Sequence, residues 1–402
     1  SKKNTKVMNI STNEFCCGCR ACEQICPKQA IALTSDREGF YYPLLDAYKC
    51  VDCGLCSDVC PVLNYETSLY SRGKAFAAQA KDNKILNVSS SGGIFSVVAK
   101  NVLKKGGVVV GAELTKELIV KHVAIEKVTD LYRLQGSKYA QSDTTEIYQE
   151  VKGYLKSGRL VFFTGTPCHV SALKLFLRKD YDNLLTSDVV CHGVPSIKMF
   201  HQLIKYIEED QQSKVIDYRF RDKTLLGWSR VSSCTLQKGN KILPLYYNKY
   251  MRAFFQAFLE GHVLRMDCYK CPFTKVERTG DFTMADFWSL KDSNPNFPRQ
   301  HRGVSMVLVN SDKGRKLFND ISKDILLEDS DLDIILGGYN YQLKHPTELT
   351  PERSSIFEIF MNDRDKFLSN YIRCRVKCDR KKFYISAIKE IIKKTIRYHG
   401  QY

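Results

Sequence analysis

From residue 74 onward, the spacing of apolar residues alternates between the two-residue period of strands and the longer period of helices. The pattern predicts a strand over 75–80, a helix over 94–104, a strand over 106–112, a helix over 145–157, a strand over 160–163, a helix over 170–178 and a strand over 184–190. After residue 217 strands dominate, with a hairpin that turns at 238–240. Elements that alternate in this way predict an α/β (α+β) fold, with a mixed or partly parallel sheet covered by helices.

The first 66 residues show neither the strand nor the helix period and stand out by their cysteine content instead. Nine of the 16 cysteines lie within the first 60 residues, and a polar linker follows at 64–73. The sequence predicts four parts: a small cysteine-rich domain over 1–66, the two parts of a larger domain over 74–150 and 151–330, and a helical basic tail over 331–402.

Composition excludes several classes of protein. The 402 residues, 44% of them apolar, suffice for two or three domains with their own cores. No apolar run approaches the roughly 18–20 residues of a membrane span, and the lysine-rich start is followed by no apolar secretion signal. Cysteines in a chain that is not exported predict a reducing, cytoplasmic location and thiolates that serve metal or redox chemistry.

Two copies of one cysteine spacing stand in the first domain. Each copy has cysteines at positions i, i+3, i+6 and i+10, and proline follows the last, as in bacterial two-cluster ferredoxins. Zinc-binding pairs are usually separated by roughly a dozen or more residues, so iron is favoured over zinc. Because the fourth cysteine of each run binds the other cluster, we predict one [4Fe-4S] cluster on Cys16, Cys19, Cys22 and Cys60 and another on Cys50, Cys53, Cys56 and Cys26. Cys17 is left without a cluster.

Further motifs lie in the large domain. They are Ser91-Gly-Gly93, Gly136-Ser-Lys-Tyr139, Gly165-Thr-Pro-Cys168-His169, Cys191-His-Gly-Val-Pro195, Cys268-Tyr-Lys-Cys271 and the stretch from Arg278 through Asp281 and Asp286 to Trp288. With these motifs in this order, the region from about 74 to 288 resembles the family of coenzyme F-420 hydrogenase/dehydrogenase beta subunits.

Members of that family are flavin-dependent iron–sulfur oxidoreductases, so the resemblance implies FAD and a third four-iron cluster beside it. The family's core cysteines match Cys168, Cys191, Cys268 and Cys271. From the residues alone, a structural zinc site or four buried apolar thiols remain open as alternatives.

The predicted flavin site combines three turns. Glycines at the start of a helix let backbone amides approach a phosphate, and α/β sheets bind ligands at the carboxyl ends of their strands. An ordinary helix start and a surface loop are the alternatives. The predicted cofactor-binding residues are Ser91, Gly92, Gly93, Gly136, Ser137, Lys138, Tyr139, Gly165, Thr166 and Pro167.

Three residues are candidates for catalysis. Lys138 would stabilise negative charge on a reduced flavin, and His169 and His192 would relay protons. Each histidine adjoins a predicted cluster cysteine, so support of the cluster sulfurs is the alternative role.

Together these features predict a reductase. Electrons from reduced ferredoxin, or another low-potential carrier, would pass through the clusters to FAD, which would deliver a hydride to a small molecule such as a sugar or sugar nucleotide of polysaccharide synthesis. The alternatives are a deazaflavin (coenzyme F-420) oxidoreductase, an electron-transfer subunit of a larger complex, and a cluster-bearing regulator or scaffold.

The net charge of +17 is concentrated near the end of the chain. Between 373 and 397, ten Lys or Arg face two acids, and isoleucines over 385–396 alternate with lysines at helical spacing. Such a helix either packs on its own domain or docks on a protein or an anionic membrane surface. Nucleic-acid binding is not predicted, because no aromatic and basic platform accompanies the charge. We expect the basic surface to attract an acidic electron carrier.

Overall fold

The computed structural model describes residues 15–68, 70, 72–246, 248–367, 385, 388 and 389. The basic segment 373–397, with Cys374 and Cys378, therefore lies almost entirely outside the described residues. Within the described ranges, no helix is both long enough and apolar enough to cross a membrane.

Thirteen strands occur in the described part of the chain. They are β1 (Ile31–Ser35), β2 (Tyr41–Leu45), β3 (Lys74–Ala80), β4 (Val108–Leu114), β5 (Val120–Ile125), β6 (Val161–Gly165), β7 (Leu184–Val189), β8 (Lys214–Arg219), β9 (Ser233–Lys238), β10 (Lys241–Leu245), β11 (Phe282–Asp286), β12 (Ser305–Val309) and β13 (Ile325–Asp329).

The α-helices of the same residues are α1 (Ala21–Ile25), α2 (Leu55–Asp58), α3 (Asn83–Val88), α4 (Ile94–Lys104), α5 (Ile147–Lys156), α6 (Pro167–Leu177), α7 (Ile197–Gln211), α8 (Lys249–Leu259), α9 (Leu290–Ser293), α10 (Asp312–Asp320), α11 (Leu332–Gly337), α12 (Arg353–Asn362) and α13 (Arg364–Lys366).

Eight strands form one mixed sheet in the order β13-β3-β12-β11-β7-β6-β4-β5. The four neighbours β4, β6, β7 and β11 are parallel to one another, and the outer strands pair antiparallel. The prediction of a mixed, partly parallel sheet is confirmed. Because the parallel strands share one direction, their carboxyl ends lie along one edge of the sheet.

Alternating side chains of β6 separate the two faces of this sheet. Phe162 packs with α4 and α10, whereas Val161 and Phe163 pack with α5 and α6. Helix α6 begins at Pro167, three residues before the predicted start at 170. Proline fits the first turn because its missing N–H has no partner there, so the Gly165-Thr-Pro turn is also the start of the helix.

The cysteine-rich module packs directly on this second face. Cys17, Cys19 and Val59 share a buried core with α5 and α6. The hydroxyl of Thr144 donates a hydrogen bond to the carbonyl oxygen of Cys19 at 2.7 Å, just before α5. The module is therefore part of the domain core and not a tethered neighbour.

A second, smaller layer lies beside the large sheet. Strands β8, β9 and β10 form an antiparallel sheet, and the predicted hairpin is confirmed by the pairing of Lys238 with Lys241. Helices α7, α8 and α12 pack on it in a core that also takes up Phe40 and Tyr42 of the module.

Candidate redox site

The first cysteine group, Cys16, Cys19, Cys22 and Cys60, comes together as the spacing predicts. Burial, with the neighbouring thiols of Cys16 and Cys60, raises the pKa of the Cys22 thiol. A hydrogen bond with Cys17 lowers the pKa of Cys19, but burial and the thiols of Cys22 and Cys60 outweigh it and raise that pKa. Thiols this close are costly to ionise without a cation, and iron supplies that cation.

The second cysteine group, Cys26, Cys50, Cys53 and Cys56, lines one small cavity at the surface. The two loops repeat the same contact, because the amide of Gly18 donates to the Cys16 sulfur at 3.4 Å and the amide of Asp52 donates to the Cys50 sulfur at 3.5 Å. Both donors have left-handed backbone, with φ values of 69° and 57°. Loop amides directed at sulfur suit anionic thiolates that bind iron.

The third cysteine group, Cys168, Cys191, Cys268 and Cys271, is assembled from separate elements. Cys168 lies in the first turn of α6, Cys191 follows β7, and the last pair is at and just after the turn Met266–Lys270. Burial raises the pKa of Cys191 to about 12, with a further contribution from Cys168. Burial and the thiols of Cys168 and Cys191 raise the pKa of Cys271. The four thiols thus converge at the carboxyl edge of the parallel strands.

No group of three or more His, Cys, Asp or Glu side chains in the described ranges is arranged to hold a single metal ion.

Cys17, to which the sequence assigns no role, lies between the first and third groups. Its buried thiol contacts the thiols of both Cys19 and Cys168. One side chain thus spans the distance between the two groups.

A cavity of about 520 Å³ opens beside the third group. Of the ten predicted cofactor-binding residues, eight line it; Gly92 and Pro167 do not. Gly92 packs on the sheet instead, because a Cβ there would lie 2.4 Å from the carbonyl oxygen of Ala78. All three catalytic candidates, Lys138, His169 and His192, line the cavity.

The lining of this cavity combines polar and aromatic groups. The amide of Ser137 donates to the Ser90 hydroxyl at 2.9 Å, so the two predicted loops meet at the start of α4. A serine-rich helix start suits a phosphate. Tyr139, from the same loop as Ser137, stacks on Phe258 with ring centroids 4.8 Å apart. Polar and aromatic groups in one cleft fit a flavin nucleotide.

His122 and His169 meet at the floor of the cavity, with ring centroids 5.1 Å apart. The His122 ring accepts from Ser142 at 2.7 Å and donates to the carbonyl oxygen of Thr164 at 3.2 Å. Burial lowers the pKa of His122 to about 4, so the ring is neutral. Nδ1 of His169 is buried and has no hydrogen-bond partner among the described residues. No motif marked His122 in the sequence.

His192 is held on both sides of its ring. Nε2 donates to the carbonyl oxygen of Phe258 at 3.0 Å, and Nδ1 accepts from the Gln342 amide at 3.0 Å. Proton transfer through this ring would break one of these bonds. The geometry therefore favours a positioning role, next to Cys191, over a catalytic one.

The ammonium group of Lys138 donates to the carbonyl oxygens of Arg133 and Gln135, at 3.3 and 2.8 Å. Burial lowers its pKa to about 7. A lysine held by its own loop and partly neutral at pH 7 is better placed to fix the turn than to supply a free positive charge.

The motif that ends at Trp288 contributes aromatic and charged side chains to the lining of the cavity. Trp288 stacks on Trp228 at 5.4 Å, and the Arg230 guanidinium lies 4.6 Å from the Trp288 ring. Asp286 accepts from Trp228 and from Arg221, at 2.8 and 2.6 Å. No sequence motif marked Trp228, Arg221 or Arg230, which come from a loop before β9.

Comparison with known protein families gives matches in both the large domain and the cysteine-rich module. The family model of the coenzyme F-420 hydrogenase/dehydrogenase beta subunit matches residues 75–148 with its N-terminal part and residues 158–334 with its C-terminal part. The chain belongs to this family of beta subunits. A 4Fe-4S dicluster domain matches residues 15–64, which confirms the predicted fused ferredoxin domain and its iron–sulfur clusters.

Individual relatives agree with this family membership. Over 226 residues the chain is 27% identical to one of the subunits of the F(420)H(2) dehydrogenase of Methanosarcina mazei, a match that covers 53% of this chain and 62% of the relative. An uncharacterized ferredoxin of Methanocaldococcus jannaschii is 38% identical over 52 residues, 13% of this chain and 66% of the ferredoxin. The chain thus spans less than two thirds of either relative.

Among solved structures, this chain is similar to a chain of the F-420-reducing [NiFe] hydrogenase complex from Methanosarcina barkeri. The match has 15% identity and a TM-score of 0.44, and covers 75% of this chain and 92% of that chain.

Proposed function

We propose that this chain is the electron-transferring subunit of a larger redox complex. It carries electrons between a partner protein at the second cysteine group and FAD in the cavity, where coenzyme F-420 exchanges a hydride. The named relatives favour this proposal over sugar chemistry, since F-420 occurs in the names of the family and of the 27% identical relative. Nothing among them points to a sugar substrate.

The observation that carries the proposal is the unbroken succession of cysteine groups. Cys53 of the second group is exposed, Cys19 and Cys22 of the first group are buried, and Cys17 joins the first group to Cys168 of the third. Cys191 of the third group lines the cavity. A path that leads from an exposed thiol to a pocket of this size is what electron transfer between a protein and a small molecule requires.

Each residue set has a part in this function. Clusters would be held by the three cysteine groups, and they exchange single electrons, whereas a flavin converts these into the pair that a hydride transfer needs. The serine turn at the start of α4 would bind the flavin phosphate, and the stacked rings of Tyr139 and Phe258 would pack against the flavin ring. Arg230, which lies over the Trp288 ring and lines the cavity, would orient an anionic substrate.

The test is the flavin content of protein purified without oxygen, together with its oxidation of reduced F-420. We expect about one flavin per chain and bleaching of the clusters when reduced F-420 is added. Ala112 lines the cavity, so Ala112→Phe should expel the flavin and abolish the reaction while the iron content stays unchanged.

A matched control places the same side chain elsewhere. Ala32 is exposed on β1, and Ala32→Phe should keep both flavin and activity. Native protein that binds all its iron but no flavin would overturn the assignment of the cavity as a flavin site. The chain would then be interpreted as a subunit that passes electrons between two protein partners.

A further inference from the structure

Arg265 is a fully buried cation at the junction of the first and third cysteine groups. It precedes Cys268 by three residues, and its guanidinium donates to the carbonyl oxygens of Cys16 and Tyr41, at 2.5 and 2.8 Å. A third bond goes to the side-chain oxygen of Gln141 at 3.1 Å. Every one of these acceptors is neutral.

Other buried arginines of the protein are paired differently. Arg278 pairs with Asp188 at 2.9 Å, Arg353 with Glu38 at 2.6 Å, and Arg221 with Asp286 at 2.6 Å. In the described residues, no carboxylate lies within 4 Å of the Arg265 guanidinium. An uncompensated buried cation costs several kcal/mol, as an order of magnitude, so Arg265 requires an anion.

The loop of the first cysteine group is the nearest source of negative charge that the geometry offers. Nε of Arg265 donates to the carbonyl oxygen of Cys16, so the guanidinium lies against the loop that presents the Cys16 sulfur. The amide of Gly18 in the same loop donates to that sulfur at 3.4 Å. A cluster bound there through thiolates would supply the compensating charge.

The charge of a cluster bound there would depend on its redox state. A four-iron cluster with four thiolates is anionic, and each electron that it accepts adds one negative charge. A fixed cation in a dry surrounding stabilises the reduced form more than the oxidised form, which raises the reduction potential.

We propose that Arg265 is the counter-ion of the cluster in the first group and sets that cluster's reduction potential. It is a positioning and tuning residue that acts on the cluster through charge. The inference rests on the part of the proposed function that assigns a cluster to the first group, and does not depend on the flavin.

Close packing on several sides fixes the position of the Arg265 side chain. Gly18 has a φ of 69°, and a Cβ there would lie 3.0 Å from Nη1 of Arg265 and 2.3 Å from the Gln141 amide nitrogen. The aromatic ring of Tyr42 lies 4.2 Å from Cζ. The guanidinium is thus clamped between the cluster loop and the module hairpin.

The test is a potentiometric titration followed by electron paramagnetic resonance, with signals assigned through Cys53→Ser and Cys268→Ser. In Arg265→Gln, the midpoint of the first cluster should become more negative by at least 59 mV, which is a tenfold change in a one-electron equilibrium constant. Arg265→Lys should stay close to the native midpoint. An unchanged midpoint in Arg265→Gln at full iron content would overturn the proposal.

Two further variants separate charge from packing. Glu38→Gln combined with Arg353→Gln removes a buried ion pair that also contacts Leu264, without a change in net charge, and should leave the midpoint in place. Gln141→Glu sets a carboxylate against Arg265 and should lower the midpoint even if Arg265→Gln fails to bind iron. An unchanged midpoint potential in Gln141→Glu would contradict the role of Arg265. Absence of iron from the native chain would instead contradict the assignment of a cluster to the first group.

Discussion

The second and third cysteine groups present the same four ligands in opposite surroundings. The second group, with Cys26 and Cys53, is drawn from two short loops and reaches the surface. The third group, with Cys168 and Cys271, is drawn from elements over a hundred residues apart, and all four of its cysteines are half-buried. Equal ligands therefore do not give equal sites, since cluster potentials depend on solvent exposure and on hydrogen bonds to sulfur.

The difference assigns a task to each group. An exposed thiol allows a partner protein to approach within electron-transfer distance, whereas the third group lies beside the cavity, which Cys191 helps to line. Electrostatic interactions are also stronger around the third group, because its thiols are more buried than Cys53.

Loss of a third-group ligand should have the largest effect. Cys268→Ser is expected to lower the iron content by about four atoms per chain and to stop electron transfer between the second group and the cavity. Iron analysis and anaerobic stopped-flow absorbance would measure both. Cys234 is also buried but lies on β9 outside all three groups, so Cys234→Ser is the control and should change neither. Full iron in Cys268→Ser would contradict the assignment.

The two loops of the ferredoxin module provide a second test. Gly18 and Gly54 both have left-handed backbone, with φ values of 69° and 75°, but a Cβ at Gly54 would meet none of the described atoms within 4 Å. Gly54→Ala should cost about 1–2 kcal/mol in unfolding free energy, and Gly18→Ala about 2–4 kcal/mol, because overpacking against Gln141 adds to the strain. Anaerobic thermal unfolding would compare them. Equal losses would mean that the inner loop is as loosely packed as the outer one.

The burial of His122 in the floor of the cavity can be tested through the pH dependence of stability. The pKa of His122 is lowered to about 4 by burial, with Lys138 lowering it further and Asp143 raising it. Since an unfolded histidine has a pKa of about 6.5, the unfolded chain binds more protons between these values. Unfolding free energy should therefore fall as pH drops through this interval, by about 3 kcal/mol in all. His122→Gln, which keeps a donor and an acceptor, should lose that part of the slope in pH-dependent thermal unfolding.

The smallest effect concerns the charge around the outer group. Residues 1–66 contain eight Asp or Glu and seven Lys or Arg, although the whole chain has a net charge of +17. The attraction of an acidic carrier that the total charge predicts therefore has to come from another part of the chain. Reduction of the module by an acidic ferredoxin should change by less than about twofold as salt rises from about 0.01 to 0.15 M, where the screening length falls from about 30 to 8 Å. A rate that falls steeply with salt would place the attracting charge elsewhere, such as in the basic tail.

Sequence spacing carried the prediction of the first and second groups because their ligands lie on short loops, where three thiols at i, i+3 and i+6 can reach one cluster without help from the rest of the fold. The strand and helix order and the mixed sheet also followed from local periodicity. The third group was predicted from resemblance alone, since spacing left zinc or inert thiols open.

Only the tertiary structure decided how these parts meet. It brought Cys17 against Cys168, left Arg265 buried without a carboxylate at ion-pair distance in the described residues, and set Trp228 and Arg230 beside Trp288. Each of these contacts joins residues that are tens to hundreds of positions apart. Local pattern determines which elements form and which ligands a loop presents, whereas burial and charge pairing between distant residues depend on packing that no local pattern encodes.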